Sequence, residues 1–310
     1  MKEKKPFNQM NLFGLDKYIN ELIYLYNSNK LPNKILLSGQ KGTGKSTLAY
    51  HFINFVLSKN EEFSYDLNNF EINPKNHSFQ TIVNMTNINF FLIDIKVEDK
   101  FIDINQIREL ILNLTKSSFN NKPRFILIDN IEFLNVNSVN ALLKVLEEPS
   151  SNVHFILINN NKKVLSTLLS RCINFKISLS HRESLQIANK LLDSDVDYLI
   201  NKDLINYYST PGNIYNLINF SINNDYDLKN IDLRQFLERI IKDNHYKKES
   251  SFQYLIFDFV EFYLSRIETS VSLNVREKYS YFLKRISDTK KFNLDQESLF
   301  IEFKDKILNE

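Results

Sequence analysis

The sequence predicts an α/β domain, a parallel sheet covered by helices on both faces, followed by a region of helices alone. Three observations predict it. Short apolar runs alternate with segments of helical periodicity as far as about residue 178, a glycine-rich turn joins the first run to the first of those helices, and beyond residue 178 the strand signal fades.

Pro32 precedes the first run, Lys34-Ile35-Leu36-Leu37-Ser38, which is short and bounded as a buried parallel strand should be. After the glycine turn, Leu48, Phe52 and Val56 recur every four residues with Ala49 and Ile53 beside them, which is helical spacing. Phe90 to Ile95 reads as the next strand. Ile104, Ile107, Ile111 and Leu114 then form a helical stripe, with Asp103 as its N-cap. Pro123 introduces a strand from Arg124 to Asp129. Val139, Leu142, Leu143 and Leu146 make the following helix, which Pro149 stops before a strand over Val153 to Ile158. Helical stripes such as Leu185, Ala188 and Leu192, or Leu255, Ile256, Phe259, Val260 and Tyr263, fill the remainder. Breaks at Thr210-Pro211-Gly212 and Asn223-Asn224-Asp225 divide the chain into an α/β domain over 1–178, a small helical lid over 179–225 and a C-terminal helical domain over 226–310.

Composition narrows the function classes. With 43% hydrophobic and 25% charged residues the chain is an ordinary globular one, and its 310 residues suffice for several domains. The opening lysines are followed by no apolar signal core, and no run of about 18 apolar residues occurs, so a cytoplasmic protein without a membrane span is expected. One cysteine, Cys172, leaves no disulfide framework and no zinc knuckle. A net charge of +2 does not announce a DNA-coating protein. The five histidines have no metal-ligand spacing, and the short lysine pairs read as solvated faces.

The chain has five glycines, and three of them, Gly39, Gly42 and Gly44, fall within six residues. Gly39-Gln40-Lys41-Gly42-Thr43-Gly44-Lys45-Ser46 satisfies G-x-x-x-x-G-K-[ST], and Thr47 follows it into the helix. Glycines let successive backbone N–H groups turn inward on phosphates, and the next helix offers its positive end. Lys45 would meet the β and γ phosphates of ATP, or the β phosphate of ADP, and the Ser46 hydroxyl would ligate Mg²⁺. A second Mg²⁺ residue is expected at Asp129, where the apolar strand Phe125-Ile126-Leu127-Ile128 ends in a carboxylate.

Asn140-Ala141-Leu142-Leu143-Lys144-Val145-Leu146-Glu147-Glu148-Pro149 resembles the N-A-L-L-K-x-L-E-E-P segment of bacterial DNA polymerase III clamp-loader subunits, which are AAA+ proteins. Ser170-Arg171-Cys172 is similar to that family's S-R-C motif, and Leu12-Phe13-Gly14 and Leu31-Pro32-Asn33-Lys34 resemble the lead-in to its glycine loop. The resemblance covers about residues 7 to 178. It implies a RecA-like AAA+ domain, a helical lid and an all-α collar domain. It also implies that Arg171 is an arginine finger offered to ATP in a neighbouring subunit; taken alone, the residue would read as a structural ion pair.

Departures from the family pattern locate the chain within it. Hydrolytic members carry a glutamate directly after the strand-end aspartate, where this chain has Asn130, and a neutral amide cannot accept a proton. Glu132 is expected to point elsewhere. No arginine stands near Pro211-Gly212-Asn213, where the family's sensor 2 arginine falls, and the zinc-binding cysteines of many relatives are missing. The pattern resembles the delta-prime class, which lends a finger without being a self-sufficient ATPase; the alternative is a hydrolytic subunit of the gamma/tau type. The implied partners are the gamma/tau and delta subunits in a hetero-oligomer, with the sliding clamp and primed DNA met through the complex. Asn159-Asn160-Asn161 matches the region of sensor 1, and the sequence leaves open which asparagine would face a γ-phosphate.

Overall fold

The structure is a computed structural model, and it describes residues 4–96, 99, 101–115, 120–147, 152–247, 250–267, 273–292 and 294–309. The chain forms two compact units, one of residues 1–190 with Thr210–Gly212 and one of Leu191–Ser209 with Asn213–Glu310.

The first unit is built on β1 (Lys34–Ser38), β2 (Phe90–Ile93), β3 (Arg124–Ile128), β4 (Val153–Asn159) and β5 (Ile173–Lys176). All pairings are parallel, in the order β2-β3-β4-β1-β5. The helices are α1 (Asp16–Asn27), α2 (Lys45–Leu57), α3 (His77–Val83), α4 (Ile104–Leu114), α5 (Val136–Glu147), the single turn α6 (Ser166–Leu169) and α7 (His181–Leu192), in which the unit ends.

The apolar runs are continuous because both faces of the sheet are covered. Ile35 and Leu37 of β1, Phe125 and Leu127 of β3, and Ile156 and Ile158 of β4 join one core with residues of α1, α2 and α3. The intervening residues, Leu36, Ile126, Ile128, Phe155 and Leu157, join a second core with Ile107 and Leu110 of α4 and Leu142 and Leu146 of α5. Successive strand side chains thus feed opposite cores. The α2 stripe of Leu48, Ala49, Phe52, Ile53 and Val56 is buried, and Tyr50, His51 and Asn54 are buried beside it.

Asp103 caps α4, its side chain accepting from the Asn105 N–H at 3.1 Å. β2 stops at Ile93, two residues short of expectation, because the Asp94 carboxylate turns back to accept the Ile95 N–H at 2.7 Å. Pro149, the expected stop of α5, lies outside the described residues. The sequence reading did not find β5, whose Ile173, Asn174 and Lys176 are exposed on an edge strand with no apolar run to mark it.

The second unit is helical: α8 (Val196–Leu199), α9 (continuing from Pro211 to Asn223), α10 (Leu233–Lys242), α11 (Ser250–Ile267), α12 (Leu273–Phe292) and α13 (Gln296–Phe303). Its core holds Phe236, Phe282, Phe300 and Phe303, all fully buried. A capping box between Asp232 and Gln235 starts α10. Among the described residues, no helix is long and apolar enough to cross a membrane.

Candidate nucleotide site and the surface arginine

The glycine loop leaves the C-terminal end of β1 and enters α2 directly. Gly39 is there because a side chain has no room: a Cβ would stand 2.2 Å from the Ile177 carbonyl oxygen of the chain leaving β5. Gly44, at φ 86°, caps α2 in the left-handed region that side chains disfavour. Gln40 and Lys41 are exposed on the loop, Thr43 is buried with its hydroxyl donating to the Gln40 carbonyl at 3.0 Å, and Thr47 is half-buried in the first turn of α2.

Lys45 is only 3% exposed and its ammonium bends back into the loop, donating to the carbonyls of Gly39 at 3.0 Å and Gln40 at 2.6 Å. Burial lowers its pKa to about 8, against the opposing pull of Asp129 and Glu132. Ser46 donates to the Asp129 carboxylate at 2.5 Å. Burial, and secondarily the negative charge of Asp94, raise the pKa of Asp129 to about 6. Ile93 and Ile128 pair in register, so Asp94 and Asp129 leave adjacent strands side by side. Burial also raises the Asp94 pKa.

The oxygen pair of Ser46 and Asp129 fits a magnesium ion. Octahedral Mg²⁺ at about 2.0–2.1 Å from its ligands sets neighbouring oxygens about 2.9 Å apart. The two oxygens, now hydrogen-bonded at 2.5 Å, need to part by only a few tenths of an ångström. One carboxylate and one hydroxyl, completed by phosphate and water, is the usual donor set for this ion. Among the described residues no group of three or more His, Cys, Asp or Glu is arranged around a metal position, which such a site does not require.

The three asparagines after β4 separate cleanly. Asn159 is buried and bonded to both the N–H and the carbonyl of Lys162, at 3.1 Å each, so it holds a turn. Asn161 takes the left-handed conformation at φ 60°. Asn160 faces inward, its Nδ2 donating to Asn130 Oδ1 at 2.8 Å and to Glu132 Oε1 at 3.0 Å. Glu132 was expected to point elsewhere. Its carboxylate instead turns into this cluster because Asn130 adopts φ 55°, which reverses the chain into the short turn Ile131–Phe133.

Sequence reasoning also missed Thr210 and Gly212. The Thr210 hydroxyl donates to the Lys41 carbonyl at 2.9 Å, and the Gly212 N–H to the Gly42 carbonyl at 2.9 Å. No local pattern announces a contact across some 170 residues. Asp94 had a signal: like Asp129, it ends an apolar strand.

Arg171 is not brought to the loop. It precedes β5, whose Ile173 pairs with Ile35 near the start of β1, whereas the loop begins at Gly39 beyond that strand's end. Four residues of strand at about 3.3 Å each put roughly 13 Å between those levels, with Arg171 farther back still. The arginine and the glycine loop therefore sit at opposite edges of the sheet. Arg171 donates to the Thr167 carbonyl at 2.9 Å and to Glu147 Oε1 at 2.8 Å. That ion pair is open to solvent, its side chains 34% and 56% exposed. Neighbouring Cys172 packs against the second core, and burial raises its thiol pKa to about 11.

A sequence profile of the family described as DNA polymerase III, delta subunit, matches residues 14–181. The chain is 30% identical over 175 residues to a DNA polymerase III subunit delta' of Buchnera aphidicola subsp. Baizongia pistaciae, an alignment covering 53% of this chain and 49% of that protein. It is 27% identical over 182 residues to a DNA polymerase III subunit gamma of Buchnera aphidicola subsp. Schizaphis graminum, covering 58% and 48%. The chain thus spans about half the length of these curated relatives. A gamma-subunit-related protein of Thermotoga maritima superposes with a TM-score of 0.49 at 17% identity, over 91% of this chain and 96% of that one. With more than half of its residues matched by the profile, the chain belongs to the DNA polymerase III delta subunit family and is a delta-prime-like AAA+ protein.

Proposed function

We propose that the chain is a clamp-loader subunit of the delta-prime type, acting in the cytoplasm within a hetero-oligomer that contains gamma/tau and delta subunits. In this reading Gly39 to Thr47 bind ATP or ADP, Ser46 and Asp129 hold Mg²⁺, and Arg171 reaches the nucleotide of a neighbouring ATPase subunit. The sliding clamp and primed DNA are met through the assembled complex.

The observation that carries the reading is the placement of Arg171. A cation at the sheet edge opposite the chain's own glycine loop cannot serve that loop, and its exposed partner Glu147 holds it weakly. It is free to be exchanged for a phosphate in trans, where its planar fork suits phosphate oxygens. Asn130 in place of a carboxylate supports a subunit that does not itself drive hydrolysis.

The test is Arg171→Ala in the reconstituted complex. Its ATPase is expected to fall at least tenfold, given that fingers are worth about 10³ to 10⁵ where hydrolysis depends wholly on them. Nucleotide binding to this chain is expected to persist. Unchanged turnover of the assembly would remove the finger role.

A further inference from the structure

Four side chains form a continuous row at the C-terminal edge of the sheet. Asn130 Nδ2 donates to Asp94 Oδ1 at 2.8 Å, Asn160 Nδ2 donates to Asn130 Oδ1 at 2.8 Å, and the same Nδ2 donates to Glu132 Oε1 at 3.0 Å. The row lies beside the glycine loop, since the Asn159 carbonyl accepts the Gly39 N–H at 3.3 Å.

Chemistry at the two ends fixes which way each amide points. An ionised carboxylate only accepts hydrogen bonds. The atom of Asn130 facing Asp94 must therefore be its NH₂, which turns its oxygen to Asn160. The atom of Asn160 facing Glu132 must likewise be its NH₂. That NH₂ has two hydrogens, and both are used within the row. Asn160 is the asparagine of its triplet that faces this cluster, yet it has no donor left for a γ-phosphate. What remains of its amide is an oxygen, which a phosphate oxygen cannot use. Glu132 is equally committed, because its Oε2 accepts the Asn160 backbone N–H at 3.4 Å while its Oε1 accepts the side chain.

We infer that the Asp94–Asn130–Asn160–Glu132 row makes the site indifferent to the third phosphate, so that ATP and ADP bind this chain with similar affinity, and that Glu132 is the positioning residue that withholds the Asn160 donor. The inference rests on the nucleotide-binding reading given above. A site of this kind holds a nucleotide as a structural ligand throughout a cycle in which a neighbour's nucleotide turns over.

Calorimetric titration of the full chain in Mg²⁺ with ADP and with the non-hydrolysable analogue AMP-PNP tests it. The two affinities are expected to agree within about threefold. Glu132→Ala frees one N–H, and the analogue should then bind about tenfold tighter while ADP changes little, a charge-assisted hydrogen bond being worth at least that factor. Glu132→Gln still offers Asn160 an acceptor and should keep the wild-type ratio. If the charge of Glu132 merely repelled the γ-phosphate, Gln and Ala would behave alike, and the inference fails. It fails also if the wild type prefers the analogue more than tenfold, or if Glu132→Ala leaves the ratio unmoved. Asn160→Ala is an independent check should Glu132→Ala not fold: it removes a donor that is already spent, and a selective loss of analogue binding would overturn the inference. Binding of neither nucleotide would instead overturn the nucleotide-binding reading beneath it.

Discussion

Gly212→Ala should loosen the glycine loop from a position remote in sequence. A Cβ at Gly212 would stand 2.7 Å from Gly42 Cα and 3.0 Å from Gly42 O. Both are backbone atoms of a loop held at its ends by β1 and α2, so no flexible side chain can give way. Overpacking of this kind costs about 1–3 kcal/mol. Moving Gly42 also strains the Gly212 N–H bond to its carbonyl, a further 0.5–1.5 kcal/mol at about the usual net worth. Against this, alanine in a helix is favoured over glycine by roughly 0.8–1 kcal/mol. The clash wins, leaving a net loss of about 1–3 kcal/mol. For a unit of this size each kcal/mol is about 2–4 °C, so the melting midpoint of the first unit should fall by roughly 2–12 °C. Differential scanning calorimetry reads that shift, and titration with Mg-ADP reads the second consequence, a weaker nucleotide complex. An unchanged midpoint together with unchanged ADP affinity would mean that the Thr210–Gly212 segment does not brace the loop.

Three further outcomes concern the same unit. Mg-nucleotide affinity should be greatest between about pH 6 and about pH 8: below this window Asp129 is protonated and cannot ligate the ion, and above it Lys45 has lost the charge that meets phosphate. Each flank should approach about tenfold per pH unit, and a flat titration from pH 5 to 9 would refute the assignment of those two residues. The free chain runs the other way. Asp129, raised from 3.8 to about 6, makes stability fall as pH rises through that interval, and Lys45, lowered from 10.5 to about 8, makes it rise again toward pH 10. Glu147→Ala should shift thermal stability by less than about 4 °C, because an exposed ion pair is worth about 0–1 kcal/mol; a larger fall would show that the pair with Arg171 is structural.

The parts of this fold legible in the sequence are those whose cause is local. β1, α2 and α4 were readable because burial on both sheet faces demands unbroken apolar runs and a helix demands its four-residue stripe. The glycine loop was readable because its backbone conformation excludes side chains at Gly39 and Gly44. β5 was not, since an edge strand paired only with β1 carries no burial signature. The orientation of Glu132 was not, because it turns on one left-handed residue, Asn130, and asparagine tolerates that conformation without requiring it. The choice among Asn159, Asn160 and Asn161 needed the neighbouring strand end, and so needed three dimensions.

Parallel topology explains why the two expected functional elements are apart. In such a sheet every strand ends at one edge, where loops gather around a ligand, and every strand begins at the other. The glycine loop, Asp94, Asp129 and Asn160 all follow strand ends. Arg171 precedes β5, and Glu147 terminates α5 at that same edge, where Lys34, the first residue of β1, donates to the Leu146 carbonyl at 3.0 Å. If the glycine loop binds a nucleotide as proposed, Arg171 on the opposite side of the sheet cannot reach it and could meet a phosphate only in a neighbouring subunit. Repetition of that contact is head-to-tail rather than two-fold, which closes into a ring or runs on as a filament. Under the proposed function, a ring built by that contact would let each subunit offer its arginine to its neighbour's nucleotide, so that a member whose own site did not distinguish ATP from ADP would still act on the next one through Arg171.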